Sequence, residues 1–79
     1  MVVHVKLFST LRSHYPHLGI GEAMPVELPD GATVGQLLNH LRLSTEEVKM
    51  IFVNSVVRGT EDALGDGDQV GIFPPVGGG

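Results

Sequence analysis

The chain has 79 residues, enough for one domain. A chain this short buries only about 60–65 % of its unfolded surface, so it needs a single well-patterned core. The 42 % hydrophobic and 18 % charged content excludes a disordered chain. The absence of cysteine excludes a disulfide framework, a thiol nucleophile, cysteine-bound zinc and an iron–sulfur cluster. The net charge is −4 and the cations Lys6, Arg12, Arg42, Lys49 and Arg58 are scattered, which argues against nucleic acid and toward a basic protein partner. No apolar run approaches a membrane span, and Met1 to His4 shows no secretory leader, so a cytoplasmic protein without a membrane partner is expected.

Val3, Val5 and Leu7 alternate with His4 and Lys6, the period of a half-buried strand. Phe8 interrupts the apolar alternation. Ser9 or Thr10 is then placed to cap a short helix carrying Leu11 and Tyr15, stopped by Pro16. Leu18 to Ala23 reads as loop. Met24 to Leu28 alternates around Val26 and Leu28, and Pro25 marks an edge strand. After the Pro29-Asp30-Gly31 turn, Thr33 and Gln36 form a capping-box pair, with Val34, Leu37, Leu38 and Leu41 on one helical stripe. Ser44 and Glu47 repeat the capping signature ahead of a shorter helical turn. Met50 to Val53 and Val56–Val57 flank Asn54-Ser55 as a hairpin. Thr60 to Leu64 is read as a helical turn, Gly65 to Asp68 as a turn, and Val70 to Phe73 as the last strand. This order predicts an α+β fold, a twisted mixed sheet packed on one main helix.

His14 and His17 invite a metal reading, but Pro16 disturbs helical spacing and no carboxylate is close in sequence, so no metal site is expected. His4 and His40 fall on outward faces. Gly65-Asp66-Gly67-Asp68 lacks the alternating ligands of a calcium loop and reads as a strand-connecting turn. Phe8, Phe52, Val57 and Phe73 cannot all be assigned inward by simple alternation. Core packing is the expectation for most of them, with the remainder forming a docking patch together with Val76. Arg12, Arg58, Glu61 and Asp62 are candidates for its rim.

The last six residues carry the sharpest chemistry. Pro74 and Pro75 fix their own backbone angles, lack an N–H and end any strand before them. Gly77, Gly78 and Gly79 add nothing to a core but thread where a side chain would clash. From Pro75 the four remaining residues reach at most roughly 14 Å, at about 3.5 Å each. Taken alone, such an end is an ordinary frayed terminus.

Lys6-Leu7-Phe8-Ser9-Thr10-Leu11-Arg12 is similar to the "F-x-x-L-R" opening of the small subunit of molybdopterin synthase, the MoaD branch of the MoaD/ThiS sulfur carriers. Asp30 to Val34 with Leu37, Leu38 and Leu41 resembles that family's central helix and its leading turn. Val53-Asn54 at a hairpin also fits. The run from Leu64 through Asp66-Gly67-Asp68, Val70, Phe73-Pro74-Pro75-Val76 and the terminal glycines resembles the family's "L-x-D-G-D-x-V-x-x-F-P-P-V-x-G-G" ending. Thiamine-pathway carriers share the Gly-Gly end but usually lack the Phe-x-x-Leu-Arg opening and the Phe-Pro-Pro-Val run. Gly77 departs from the pattern, which often has a small or polar residue there.

The resemblance implies a β-grasp, ubiquitin-like fold: four to five strands on one main helix over residues 1–75, and a flexible reactive tail over 76–79. It implies a sulfur carrier whose Gly79 carboxylate is adenylated and converted to a thiocarboxylate, with Gly77 and Gly78 giving access and Pro74 and Pro75 projecting the tail. The sulfur would go to the pterin precursor of molybdenum or tungsten cofactor. The chain would be no enzyme on its own and bind no cofactor. ATP and magnesium would belong to a MoeB-like adenylating enzyme; the other implied partners are a sulfur donor system and the MoaE-like large subunit. A thiamine-type carrier, a ubiquitin-like modifier and a plain interaction domain remain alternatives.

Overall fold

The computed structural model describes residues 1–75. Its elements are β1 (Val2–Leu7), a 3-10 helix η1 (Ser9–His14), β2 (Met24–Glu27), α1 (Val34–His40), β3 (Met50–Val53), β4 (Val56–Arg58) and β5 (Gln69–Phe73). The five strands form one mixed sheet in the order β2-β1-β5-β3-β4. β1 and β5 pair in parallel at its centre, with Leu7 beside Ile72, and all other pairs are antiparallel. Pro25 sits on the edge strand β2, where its missing N–H costs no ladder bond.

One face of the sheet is buried by α1. Val3, Val5, Leu7, Val26, Ile51, Val53, Val70 and Ile72 supply the sheet side of the core, and Val34, Leu37, Leu38 and Leu41 the helix side. Leu11 of η1 is buried in the same cluster, and the Tyr15 hydroxyl donates to the Leu41 carbonyl (3.2 Å), tying η1 to the end of α1.

The first turn of α1 leaves backbone N–H groups without helical acceptors. The predicted capping box forms, with Gln36 N–H donating to Thr33 Oγ1 (3.2 Å) and Thr33 N–H to Gln36 Oε1 (2.8 Å). Val34 and Gly35 N–H donate to the carbonyls of Asp62 and Thr60. That approach is so close that a Cβ on Gly35 would stand 3.1 Å from the Thr60 oxygen.

Three local expectations are corrected. Neither Ser9 nor Thr10 caps η1: the N-cap is Phe8, without a side-chain bond. Ser9 has φ 55°, and Leu11 N–H instead donates to the Phe8 carbonyl. Ser44 and Glu47 make a turn rather than a helix, because only five residues separate buried Leu43 from Lys49, whose N–H is already bound to the Phe73 carbonyl. Thr60 to Leu64 is likewise a turn with an isolated Thr33–Ala63 bridge, since its carbonyls are turned toward the start of α1.

The Asn54-Ser55 hairpin forms with both residues at positive φ (52° and 70°), matching a type I′ turn. Asp66 and Asp68 act on backbone: Val2 N–H donates to Asp66 Oδ1 and Gly65 N–H to Asp68 Oδ2. Among the described residues no three His, Cys, Asp or Glu side chains gather as a metal site, and no helix is long and apolar enough to cross a membrane.

His14 Nε2 lies 2.6 Å from Glu47 Oε1, a pairing between segments far apart in sequence. Two predictions follow from these local bonds. Thr33→Ala removes the cap acceptor and should cost about 1 kcal/mol in urea unfolding; an unchanged midpoint would deny the cap its role. The Ser44 N–H and the His14 ring hold the Glu47 pKa below its ordinary value of 4.5. A depressed carboxyl stabilises the fold above its unfolded pKa and loses that contribution as pH falls through its folded value. The wild type should therefore exceed Glu47→Gln in melting temperature at neutral pH, with the difference closing below about pH 4.5.

Candidate functional site

Strand parity builds the site. With Val3, Val5 and Leu7 inward, His4, Lys6 and then Phe8 face the opposite side of the sheet. On β5, Val70 and Ile72 are inward, so Gln69, Gly71 and Phe73 face out. On β3, Ile51 and Val53 are inward, leaving Met50 and Phe52 outward, and Val57 of β4 stands directly opposite Phe52. The expectation that most of Phe8, Phe52, Val57 and Phe73 pack in the core is therefore corrected. All three phenylalanines are half-buried on the outer face, and Val57 is 56 % exposed. Phe8 does not break the strand pattern; it continues the outward set.

The three rings meet. Phe8 and Phe73, neighbours across the parallel pair, stack with centroids 4.2 Å apart and planes 3° from parallel. Phe52 meets Phe73 edge-on at 5.6 Å. They are brought together over Gly71, where an added Cβ would lie 3.4 Å from Phe8 and 3.5 Å from Phe73. Glycine thus lets the rings lie down on the sheet. The result is an open depression of about 440 Å³, lined by these rings and by His4, Lys6, Asn54, Ser55 and Gln69. Among the described residues no carboxylate lines it.

Chain direction ties this patch to the tail. Phe73 ends β5 and accepts a bond from Lys49 N–H through its carbonyl. Pro74 and Pro75 follow immediately and carry no N–H to extend the ladder. The tail root therefore lies beside the stacked pair. Val76, Gly77, Gly78 and Gly79 lie outside the described residues.

None of the rim candidates lines the depression. Arg58 is paired with Ile51, on the helix side of the sheet. Glu61 and Asp62 lie in the loop over the start of α1. Arg12 is half-exposed, with a buried Nε that meets no acceptor. Gly71 carried no signal that singled it out, and His4, though placed on an outward face, was given no part in a site. Continuing the parity of β1 and β5 outward would have found both.

The ThiS family model matches residues 5–79. The chain belongs to the ThiS family. A putative molybdopterin converting factor subunit 1 from Pyrococcus furiosus matches at 29 % identity and TM-score 0.75, over 96 % of this chain and 99 % of its own. The small archaeal modifier protein 1 of Haloferax volcanii matches at 22 % identity and TM-score 0.74, over 95 % and 98 %. Subunit 1 or 2 in a complex of molybdopterin-converting factor from Helicobacter pylori gives 22 % identity and TM-score 0.63, with full coverage of both chains. The fold of this ThiS-family chain is accordingly the β-grasp, ubiquitin-like fold of the MoaD/ThiS sulfur carriers, as the α+β reading of the sequence expects.

The stacked rings supply a direct check. In a double-mutant cycle, Phe8→Ala and Phe73→Ala should couple by about 0.5–1.5 kcal/mol in unfolding free energy, the ordinary range for an aromatic pair. Additive effects would mean the rings do not stack in solution.

Proposed function

We propose that this protein is a sulfur carrier that serves as the small subunit of a molybdopterin synthase. The observation carrying this reading is the family match itself, which runs from residue 5 through Gly79 and so takes in both the patterned domain and the glycine ending. The Pyrococcus relative supports the molybdopterin branch, as do the Phe8-x-x-Leu11-Arg12 opening and the Phe73-Pro74-Pro75-Val76 run.

On this reading the reactive group is the α-carboxylate of Gly79, ionised at neutral pH. Its oxygen attacks the α-phosphate of ATP on a MoeB-like adenylating enzyme, releasing pyrophosphate and leaving an acyl adenylate. A sulfur nucleophile from the donor system displaces AMP, and the resulting thiocarboxylate hands its sulfur to the pterin precursor on a MoaE-like large subunit. The acyl adenylate must be shielded from water. A thin chain of Gly77, Gly78 and Gly79 suits a narrow, water-excluding channel. Pro74 and Pro75 project it from the domain, and the outer-face patch of Phe8, Phe52, Phe73 and Val57, continued by Val76, gives the partner a surface to hold. The adenylating partner supplies ATP and magnesium, and this chain supplies the handle.

The absence of cysteine gives a clean test. Incubation with the adenylating enzyme, ATP and a sulfur donor should exchange one terminal oxygen for sulfur and yield one product captured by a thiol alkylating agent. Alkylation distinguishes it from oxidation of Met1, Met24 or Met50, which changes the mass almost equally. Deleting Gly79 should abolish loading while changing stability by less than about 0.5 kcal/mol. No alkylated product from the wild type would overturn the carrier reading, and covalent adducts to protein lysines would establish the modifier alternative in its place.

A further inference from the structure

The chain has no cysteine and three methionines, Met1, Met24 and Met50, so these thioethers are its only side-chain sulfurs. The fold treats them unequally. Met1 and Met24 are partly buried and pack against the core cluster. Met50 is 40 % exposed, while Ile51 beside it is buried. Its place in the ladder is equally particular. Met50 is the first residue of β3 and pairs with Phe73, the last residue of β5. The neighbouring bond, from Lys49 N–H to the Phe73 carbonyl (2.8 Å), comes immediately before Pro74, which has no N–H to return. The exposed sulfur thus stands in register at the point where the tail leaves the sheet.

We propose that Met50 is a redox-modification site: peroxide oxidises it ahead of Met1 and Met24, and the sulfoxide loosens the root of the tail. The inference goes beyond the sulfur-carrier reading and does not depend on it. The step is a two-electron oxygen transfer. The thioether sulfur attacks one oxygen of hydrogen peroxide, and an S–O bond forms as the O–O bond breaks. The proton on the transferred oxygen passes to the departing hydroxide, which leaves as water. Sulfur is oxidised and the peroxide is reduced. Access decides which sulfur reacts, because a thioether packed against the core is shielded from the oxidant. The product is polar where the thioether was apolar. Met50 and Phe73 are opposite each other in an antiparallel pair, where facing side chains lie about 4.5–5.5 Å apart at Cβ and contribute to strand pairing. A sulfoxide there favours water over an apolar neighbour, so the last β3–β5 pair weakens and the adjacent Lys49–Phe73 bond opens more often.

The test treats the full-length chain with graded hydrogen peroxide and then digests it with trypsin. Cleavage after Lys6, Arg12, Arg42, Lys49 and Arg58 leaves each methionine in its own peptide. The Met50 peptide should gain the mass of one oxygen first, and in denaturant the three methionines should react alike. Equal or earlier oxidation of Met1 or Met24 in the folded protein overturns the site. So does a Met50 preference that persists in denaturant, since it would owe nothing to the fold. Amide hydrogen exchange reads the consequence. Exchange at Lys49 should quicken about two- to fivefold in the sulfoxide, the ratio that matches loss of one cross-strand pair. His4, whose N–H is bonded to the Asp68 carbonyl at the other end of β5, should keep its rate. Methionine sulfoxide reductases should restore both the mass and the Lys49 rate. Met50→Leu, which stays apolar, should exchange like wild type and show no response to the same dose of peroxide. Quickening at Lys49 in peroxide-treated Met50→Leu, or equal quickening at Lys49 and His4, overturns the loosening of the tail root. An unchanged Lys49 rate in protein oxidised at Met50 does the same.

Discussion

Everything in this molecule depends on the parallel pairing of β1 with β5, the first strand of the chain and the last. Its register sets Leu7 beside Ile72 and thereby assigns every residue of both strands to a face. A slip of one residue would put Phe8 in the core and Leu7 in water. The register is held at both ends. At one end the Asp66-Gly67-Asp68 turn is bonded to the start of β1: Val2 N–H donates to Asp66, Gly67 N–H to the Val2 carbonyl and His4 N–H to the Asp68 carbonyl. At the other end Phe8 N–H donates to the Ile72 carbonyl and the two rings stack. The core and the outer patch are thus two sides of a single ladder.

The carboxylates of this chain mostly hold backbone. Four of them accept a backbone N–H from three residues earlier: Glu22 from Gly19, Glu47 from Ser44, Asp62 from Gly59 and Asp68 from Gly65. Thr33 and Gln36 repeat that spacing with an amide, and Asp66 does similar work for Val2. A chain with few helices and many tight turns has many backbone donors outside any ladder, and these side chains satisfy them. The net charge of −4 therefore records how the turns are built. It describes the outer aromatic face poorly, because five of the acids accept backbone N–H groups at turns, while Lys6 on that face makes no ion pair among the described residues.

Much of this was legible in the sequence. Alternation in Val3-Val5-Leu7, the Thr33/Gln36 pair, Pro25 on an edge and Asn54-Ser55 in a hairpin each follow from a local rule, and local rules suffice where the next few residues decide the conformation. The misread segments are those decided at long range. Ser44 to Glu47 and Thr60 to Leu64 carry acceptable helix signals, but the first is too short a bridge between anchored residues and the second is bent to serve the start of α1. Of the candidate site, the glycine ending and the run leading to it were readable as residues. Phe8, Phe52 and Phe73 were readable as candidates for a docking patch, but their meeting on one outer face was not, because core packing was expected for most of them. Hydrophobicity and strand parity disagree at Phe8, Phe52 and Phe73, and parity wins because the inward positions are already filled by Leu7, Ile51, Val53 and Ile72.

That disagreement locates the site. Three aromatic rings kept half-exposed in a 79-residue domain are apolar area left out of a core that could use it. Such a surface is spent on a partner or costs solubility. Under the proposed function the partner must grip the domain firmly enough to thread the tail and then let go, once for every sulfur delivered. A small patch of a few rings suits that cycle better than a wide apolar interface, because modest interfaces turn over. Its position follows from the same need. Phe73 belongs to the patch and is also the last strand residue before Pro74 and Pro75, so holding the patch fixes the point and direction from which the tail departs. Phe73 and Pro74 are adjacent in the chain, so no residue separates that patch from the root of the tail.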